Sequence, residues 1–155
     1  MNVLFVCLGN ICRSPMAEAM FTKMVADEGL ADLIKIDSAG TSDEEEGNPP
    51  HPGTRKILAK YNLPAANLVS RPLNNHDYLS ADYIICMDDM NLADVKRRAP
   101  VNTTANINAI FDMTPAKKGQ AIPDPWYTHR FQDTYNSLAE ALPSWLTYFK
   151  QQLEN

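Results

Sequence analysis

Cysteine is scarce: Cys7, Cys12 and Cys86 are the only three in 155 residues. An odd count at these spacings is unlike a disulfide framework. Neither the cysteines nor His51, His76 and His129 form the second close pair that a zinc site uses. No metal and no cofactor are expected. Long apolar runs are also missing, since the longest, Val3 to Leu8, is six residues, against the roughly 18 that cross a bilayer. Positive charge is in deficit: 14 Lys and Arg stand against 19 Asp and Glu, a net charge of −5, and no basic run exceeds Lys96-Arg97-Arg98. Nucleic acid, whose binding needs clustered cations, is therefore a poor partner, and no membrane is expected either. The N-terminus shows no charged segment leading into an apolar one, and free cysteines suit a reducing compartment, so the expected location is cytoplasmic.

What remains is ordinary globular material, 45% hydrophobic and 21% charged, at the length of a single domain spanning residues 1–155. Asn2 to Cys7 is a nearly continuous apolar stretch, the pattern of a strand covered on both faces. Leu8 to Arg13 follows as a loop. Ser14-Pro15 supplies an N-cap and a first-turn proline for a helix with Ala17, Met20, Phe21, Met24 and Val25 on one stripe, which Gly29 ends. Further strands are expected at Ile34–Ser38, Tyr83–Met87 and Ala105–Phe111. Helices are expected over Pro52–Tyr61, from the Asp-rich segment after Met87 to about Arg98, and from Phe131 onward, where Pro143 should kink or restart the helix. Gly40 to Pro52 reads as one long loop. Strand–helix alternation implies right-handed crossovers and a parallel sheet with helices on both faces, in which ligands bind beyond the carboxyl ends of the strands.

The loop after the first strand carries the chemistry. Cys7 and Arg13 stand in a Cys-x5-Arg spacing between a strand end and a helix start. Such a loop turns successive N–H groups inward, the helix terminus adds partial positive charge, and an arginine fork can hold two phosphate oxygens. A sulfur at its base lies in a positive field, which favours the nucleophilic thiolate. Gly9 and Asn10 are residues that tolerate the left-handed backbone this loop requires. The Gly-Lys-Ser/Thr ending of a nucleotide loop and the dinucleotide glycine fingerprint are both absent. Phosphate-ester cleavage also needs a proton donor. Asp124, in Pro123-Asp124-Pro125-Trp126-Tyr127, is a candidate, although the same local sequence serves equally well as a plain turn.

The run Val6-Cys7-Leu8-Gly9-Asn10-Ile11-Cys12-Arg13-Ser14-Pro15, together with Asp124-Pro125, resembles the low-molecular-weight protein tyrosine phosphatase family. Asp37-Ser38-Ala39-Gly40-Thr41 and Asp82 to Asp88 also resemble its segments in order. The resemblance implies a three-layer α/β fold, with a four-stranded parallel sheet of order 2-1-3-4 and a phosphate-binding loop, Leu8 to Ser14, after the first strand. It implies metal-independent hydrolysis of phosphotyrosine on proteins, and of aryl phosphates, through a cysteinyl-phosphate intermediate. In that scheme Cys7 is the nucleophile, Arg13 the phosphate clamp and Asp124 the acid and then the base. Ser14 steadies the Cys7 sulfur, while Asn10, supported by Ser38, holds the loop. Cys12 matches the family's second loop cysteine, which pairs reversibly with the nucleophile on oxidation. Tyrosine-phosphorylated proteins are the implied partners, with a tyrosine kinase as a further candidate.

Two departures stand out. Where eukaryotic members carry an aromatic cleft wall, this chain has Asp43-Glu44-Glu45-Glu46, which reads as a solvated acidic loop more readily than as a substrate selector. Trp126 and Tyr127 stand where many relatives have two tyrosines, and are expected to line the substrate cleft or pack the loop. Two other functions compete. Arsenate reduction on the same fold needs two resolving cysteines, and only Cys86 lies outside the loop. A non-catalytic phosphate binder or thiol redox sensor would have no use for the proton donor at Asp124. The oligomeric state and the physiological substrate are not legible in the sequence.

Overall fold

The computed structural model describes residues 1–155. Strand β1 (Asn2–Cys7) lies at the centre of a four-stranded sheet of order 2-1-3-4, between β2 (Lys35–Gly40) and β3 (Tyr83–Cys86), with β4 (Asn106–Ala109) beyond β3. All three pairings are parallel. Because side chains alternate along a strand, β1 sends Val3, Phe5 and Cys7 to one face and Leu4 and Val6 to the other, and both faces are covered. This explains the unbroken apolar run. The larger core, 25 buried residues, packs α1 (Arg13–Asp27), α2 (Pro52–Lys60) and α6 (Phe131–Glu154) on the Cys7 face. The smaller, nine residues, packs α3 (Asn75–Ser80) and α4 (Asp89–Arg98) on the Val6 face. A 3-10 turn at Pro115–Lys117 and the four-residue α5 (Pro125–Thr128) complete the chain.

Several boundaries differ from the sequence expectation, each for a tertiary reason. Helix α1 begins at Arg13 with Cys12 in the N-cap position and no side-chain cap, so Ser14 and Pro15 lie inside the first turn. Ser14 cannot cap because its hydroxyl is turned toward the Cys7 sulfur, 3.0 Å away. Strand β2 ends at Gly40 rather than Ser38, since Gly40 N–H donates to Arg71 O and Gly40 O accepts from Leu73 N–H. Helix α3, over residues too few and too polar for a periodic signal, is nucleated by a reciprocal capping box between Asn74 and Asp77. Helix α6 runs unbroken through Pro143 instead of restarting there, its apolar stripe Leu138, Leu142, Trp145 and Phe149 wholly buried. Tertiary packing of that stripe outweighs one lost backbone bond.

Trp145 anchors this face: it is fully buried, and its indole N–H donates to Ile110 O at 2.8 Å. Trp145→Ala should destabilise the protein by about 3–5 kcal/mol, through cavity formation plus an orphaned carbonyl. Urea unfolding should show a lower midpoint at unchanged slope, and a midpoint equal to wild type would refute the anchor.

Candidate active site

The parallel sheet delivers β1, β3 and the chain after β4 to one edge, and the segments leaving that edge meet around Arg13. Residues Leu8 to Cys12 form a tight arc between Cys7 and α1. Only Asn10 in this arc takes the left-handed backbone, φ 56°, so Asn10 rather than Gly9 makes the turn. The arc packs closely against β2: an added Cβ at Gly40 would lie 2.8 Å from Leu8 O. Gly40 is thus fixed by close approach.

Arg13 is 2% exposed, and its guanidinium is partnered on one side only. Nη1 donates to Asp88 Oδ2 at 2.6 Å and to Ile122 O at 2.9 Å. Nη2 lies 3.4 Å from Asp124 Oδ2, and Nε, also buried, has no partner. Burial works against the charge, but Cys7, the hydrogen bond to Asp88 and the charges of Asp124 and Asp88 outweigh it and hold Arg13 above its ordinary value. A permanently cationic fork with an unpartnered buried edge is a site for an oxyanion. Helix α1 adds to the field, because its first turn carries neither a side-chain cap nor an acidic residue to occupy its N–H groups.

Cys7 closes the β1 strand, 2% exposed, with its sulfur 3.0 Å from Ser14 Oγ. Asn10 Nδ2 donates both to Ser14 Oγ at 2.7 Å and to Ser38 Oγ at 2.9 Å. The three expected support residues therefore form one hydrogen-bonded unit with the sulfur. Cys12 is reduced and buried, and burial first, then the proximity of Cys7 and Asp124, pushes its thiol up to about 12 against the pull of Arg13. It stays a neutral thiol at physiological pH. Asp124 uses its two carboxylate oxygens differently. Its Oδ1 caps α5 by accepting from Trp126 N–H at 3.0 Å, while Oδ2 is left facing Arg13.

The cleft above the arc is lined by Cys7, Leu8, Gly9, Ile11, Cys12, Arg13 and Asp124, by Trp126 and Tyr127, and by Ser42, Glu44 and Glu45. Trp126 and Tyr127 are 49% and 72% exposed, so their rings are presented to solvent rather than spent on packing.

The chain matches the family described as low molecular weight phosphotyrosine protein phosphatase over residues 2–155. The chain belongs to that family. It is 42% identical over 132 residues to the low molecular weight protein-tyrosine-phosphatase YfkJ of Bacillus subtilis, covering 85% of each chain. It is 43% identical over 128 residues to the low molecular weight phosphotyrosine protein phosphatase of Rattus norvegicus, covering 81% of this chain and 80% of that one. The crystal structure of YfkJ superposes with a TM-score of 0.93 at 37% identity, covering 98% of this chain and 96% of that one.

Within this phosphatase fold, sequence reasoning left two contributors unassigned, Asp88 and the Ile122 carbonyl. Asp88 caps α4 through Oδ1, accepting from Asn91 N–H at 2.8 Å, and holds Arg13 through Oδ2, so it is committed as a buttress. Its place directly after β3 was the available signal. Asp112 is likewise committed, accepting from Ala109 N–H at 2.9 Å in the turn after β4. Ile122 O depends on a contact more than a hundred residues away in sequence and had no local signal. Asp43, Glu44 and Glu46 of the acidic loop are exposed, as expected of a solvated loop, but the loop also borders the cleft. Glu44 and Glu45 line the cleft, with Glu45 half-buried and held by Asn48 Nδ2 at 2.8 Å, and its charge is felt at Cys12. Backbone bonds draw this loop over the site: Ser42 N–H donates to Leu8 O and Gly47 N–H to Ser70 O, both at 2.9 Å.

Two carboxylates beside an anion site oppose anion binding by Coulomb repulsion. The double variant Glu44→Gln/Glu45→Gln should bind inorganic phosphate about two- to fivefold more tightly at low salt, with the gain shrinking as ionic strength rises. Competitive inhibition by phosphate measures it, and an unchanged constant at low salt would contradict the proximity.

Proposed function

We propose that Cys7 is the nucleophile, Arg13 the phosphate clamp and Asp124 the proton donor and acceptor of this phosphatase, and that residues 1–155 act as one catalytic domain. The chain is a cysteine-dependent protein-tyrosine phosphatase, and phosphotyrosine on proteins is its substrate. The observation that carries the residue assignment is that Arg13, buried and with Nε unpartnered, lines one pocket together with Cys7 and Asp124.

In the first step the Cys7 sulfur attacks phosphorus, forming the S–P bond as the P–O bond to the tyrosyl oxygen breaks. Arg13 Nε and Nη2 and the first-turn amides of α1 take the equatorial oxygens, whose charge is largest in the transition state. The departing phenoxide takes a proton from Asp124. In the second step Asp124, now a carboxylate, accepts a proton from water as the water oxygen attacks phosphorus, and the S–P bond breaks to release inorganic phosphate. Ser14 stands beside the sulfur both when it attacks and when it leaves. Trp126 and Tyr127 offer aromatic faces to the phenyl ring, which supports an aryl leaving group. The arsenate alternative has no support, since Cys86 is wholly buried in β3 and cannot relay electrons to a bound oxyanion. An enzyme that removes tyrosine phosphate implies a kinase that adds it, and a nucleophilic thiol is best kept in a reducing compartment such as the cytoplasm.

Cys7→Ser should lose hydrolysis of phosphotyrosine peptides while still binding phosphate, because Arg13 and the loop amides remain. Asp124→Asn should slow phosphotyrosine far more than a nitrophenyl phosphate, since only the poorer leaving group needs its proton in flight. Turnover by the Cys7→Ser variant, or equal slowing of both substrates in Asp124→Asn, would overturn the corresponding role.

Oxidative protection of Cys7 by Cys12 fits the same site. Peroxide would convert the Cys7 thiolate to a sulfenic acid. Attack by the Cys12 sulfur would then form the S–S bond as the S–O bond breaks, the departing hydroxide leaving as water with the Cys12 proton. A thiol pushed up to about 12 offers little thiolate at neutral pH, so pairing should accelerate as pH rises. Mass spectrometry after peroxide should find a Cys7–Cys12 disulfide, increasingly so from pH 7 to 9. Sulfinic Cys7 with free Cys12 across that range would reject it.

A further inference from the structure

The hydrogen-bonded unit behind Cys7 does not stop at Ser38. Ser38 Oγ donates to Glu18 Oε1 at 2.6 Å, and Glu18 is a half-buried carboxylate on the second turn of α1. At the other end, the backbone N–H of Arg71 donates to Asn10 Oδ1 at 3.0 Å. Arg71 is itself fixed by a two-pronged pair with Asp77 and by Asp37.

We propose that Glu18 is a positioning residue that, through Ser38 and Asn10, compels Ser14 to donate its hydroxyl proton to the Cys7 sulfur.

An ionised carboxylate can only accept, so the Ser38 proton points at Glu18 and the Ser38 oxygen is left to accept from Asn10. The Asn10 amide cannot be turned over, because its nitrogen would then face the Arg71 N–H, donor against donor. Both Nδ2 protons are therefore spent, one on Ser38 and one on Ser14. Ser14 oxygen, receiving one of them, keeps its own proton, and the Cys7 sulfur at 3.0 Å is its hydrogen-bonded neighbour. Asn10, Ser14 and Ser38 are all at most 5% exposed, so water does not compete for these bonds. Each bond is short and each donor is spoken for; reversing any one requires reversing the rest. A hydrogen bond donated to the sulfur by the Ser14 hydroxyl favours the charged form both as nucleophile and as the group expelled from phosphocysteine.

The other charges near this chain are few. Asp37 and Arg71 act on Glu18 in opposite senses, and Arg13, Asp124 and Cys12 surround Cys7. Burial raises Glu18 from its ordinary value, against the pull of Ser38. As pH falls it takes up a proton earlier than a solvent-exposed glutamate, and a protonated carboxyl can donate back to Ser38. The relay then loses its direction.

The proposal rests on the phosphatase reading, and the test separates the two. For wild type, Glu18→Leu, Glu18→Gln, Ser14→Ala and Ser14→Ala/Glu18→Leu, kcat/KM for a phosphotyrosine peptide is followed from pH 4 to 9, alongside Tm. Glu18→Leu should move the acidic limb upward by about half a pH unit and lower kcat about three- to tenfold. Glu18→Gln keeps an acceptor oxygen for Ser38 and should restore most of the loss. In the Ser14→Ala background Glu18→Leu should change nothing further, because the end of the relay is gone. An unmoved limb in Glu18→Leu, a Glu18→Gln as impaired as Glu18→Leu, or an equal effect with and without Ser14 would each overturn the proposal. If Glu18→Leu fails to fold, Glu18→Gln against Ser38→Ala carries the test: the first near wild type and the second with the raised limb support it, and equality of the two refutes it. Absence of any wild-type hydrolysis would refute the phosphatase reading itself.

Discussion

A buried guanidinium organises this molecule. Arg13 is as hidden as any core leucine, and a charge in that position is tolerated only if carboxylates and carbonyls from elsewhere come to meet it. Asp88 comes from the end of β3, and Ile122 O and Asp124 from the chain after β4. These parts of the chain lie far apart in sequence and converge on one cation. They satisfy it incompletely, leaving Nε buried without a partner in a residue that lines the cleft, and this incompleteness is what makes the core feature a binding feature. The segment after β4 is itself tied to the sheet edge, with Ile122 N–H donating to Met87 O at 3.0 Å, so the acid is as rigidly placed as the clamp.

The loop between Cys7 and Arg13 is the second constraint, and it is held from behind. A non-glycine residue at φ 56° costs free energy, which the surroundings must supply. Asn10 supplies a good part itself. Its amide engages Ser14, Ser38 and the Arg71 backbone, so the strained residue is also the most fully hydrogen-bonded one in the arc. Backbone strain and side-chain satisfaction sit on the same residue, which explains why neither Gly9 nor another polar residue takes the left-handed position.

Around a cationic floor the protein has built an acidic margin. Asp124 pairs with Arg13, whereas Glu44 and Glu45 do not touch it and work against the very charge the floor attracts. The arrangement trades anion affinity for a graded field, positive at the base and negative at the mouth. Inorganic phosphate is the product as well as the weakest legitimate ligand, and a mouth that disfavours it helps the site to empty. The exposed rings of Trp126 and Tyr127 give the cleft an apolar portion that free phosphate cannot use and a phenyl ring can.

Whereas the sheet order entered only through the family resemblance, the sequence alone determined the central strand and the strand–loop–helix opening and singled out Cys7, Arg13 and Asp124 as candidates. It could do so because each rests on local chemistry: a two-faced apolar run, a fixed Cys-to-Arg spacing, and a proline-locked aspartate. It could not say that Asp124 is both cap and site residue, because that depends on which carboxylate oxygen the α5 amide takes. Ser14 looked like a cap and is not one, because a sulfur seven residues upstream competes for its hydroxyl. The roles of Asp88, Ile122 O, Glu18 and the acidic loop were decided only by the tertiary structure. Each depends on hydrogen bonds between residues far apart in the chain, whose partners are chosen by how the sheet edge brings them together and by the rule that a buried donor, acceptor or charge must find a complement.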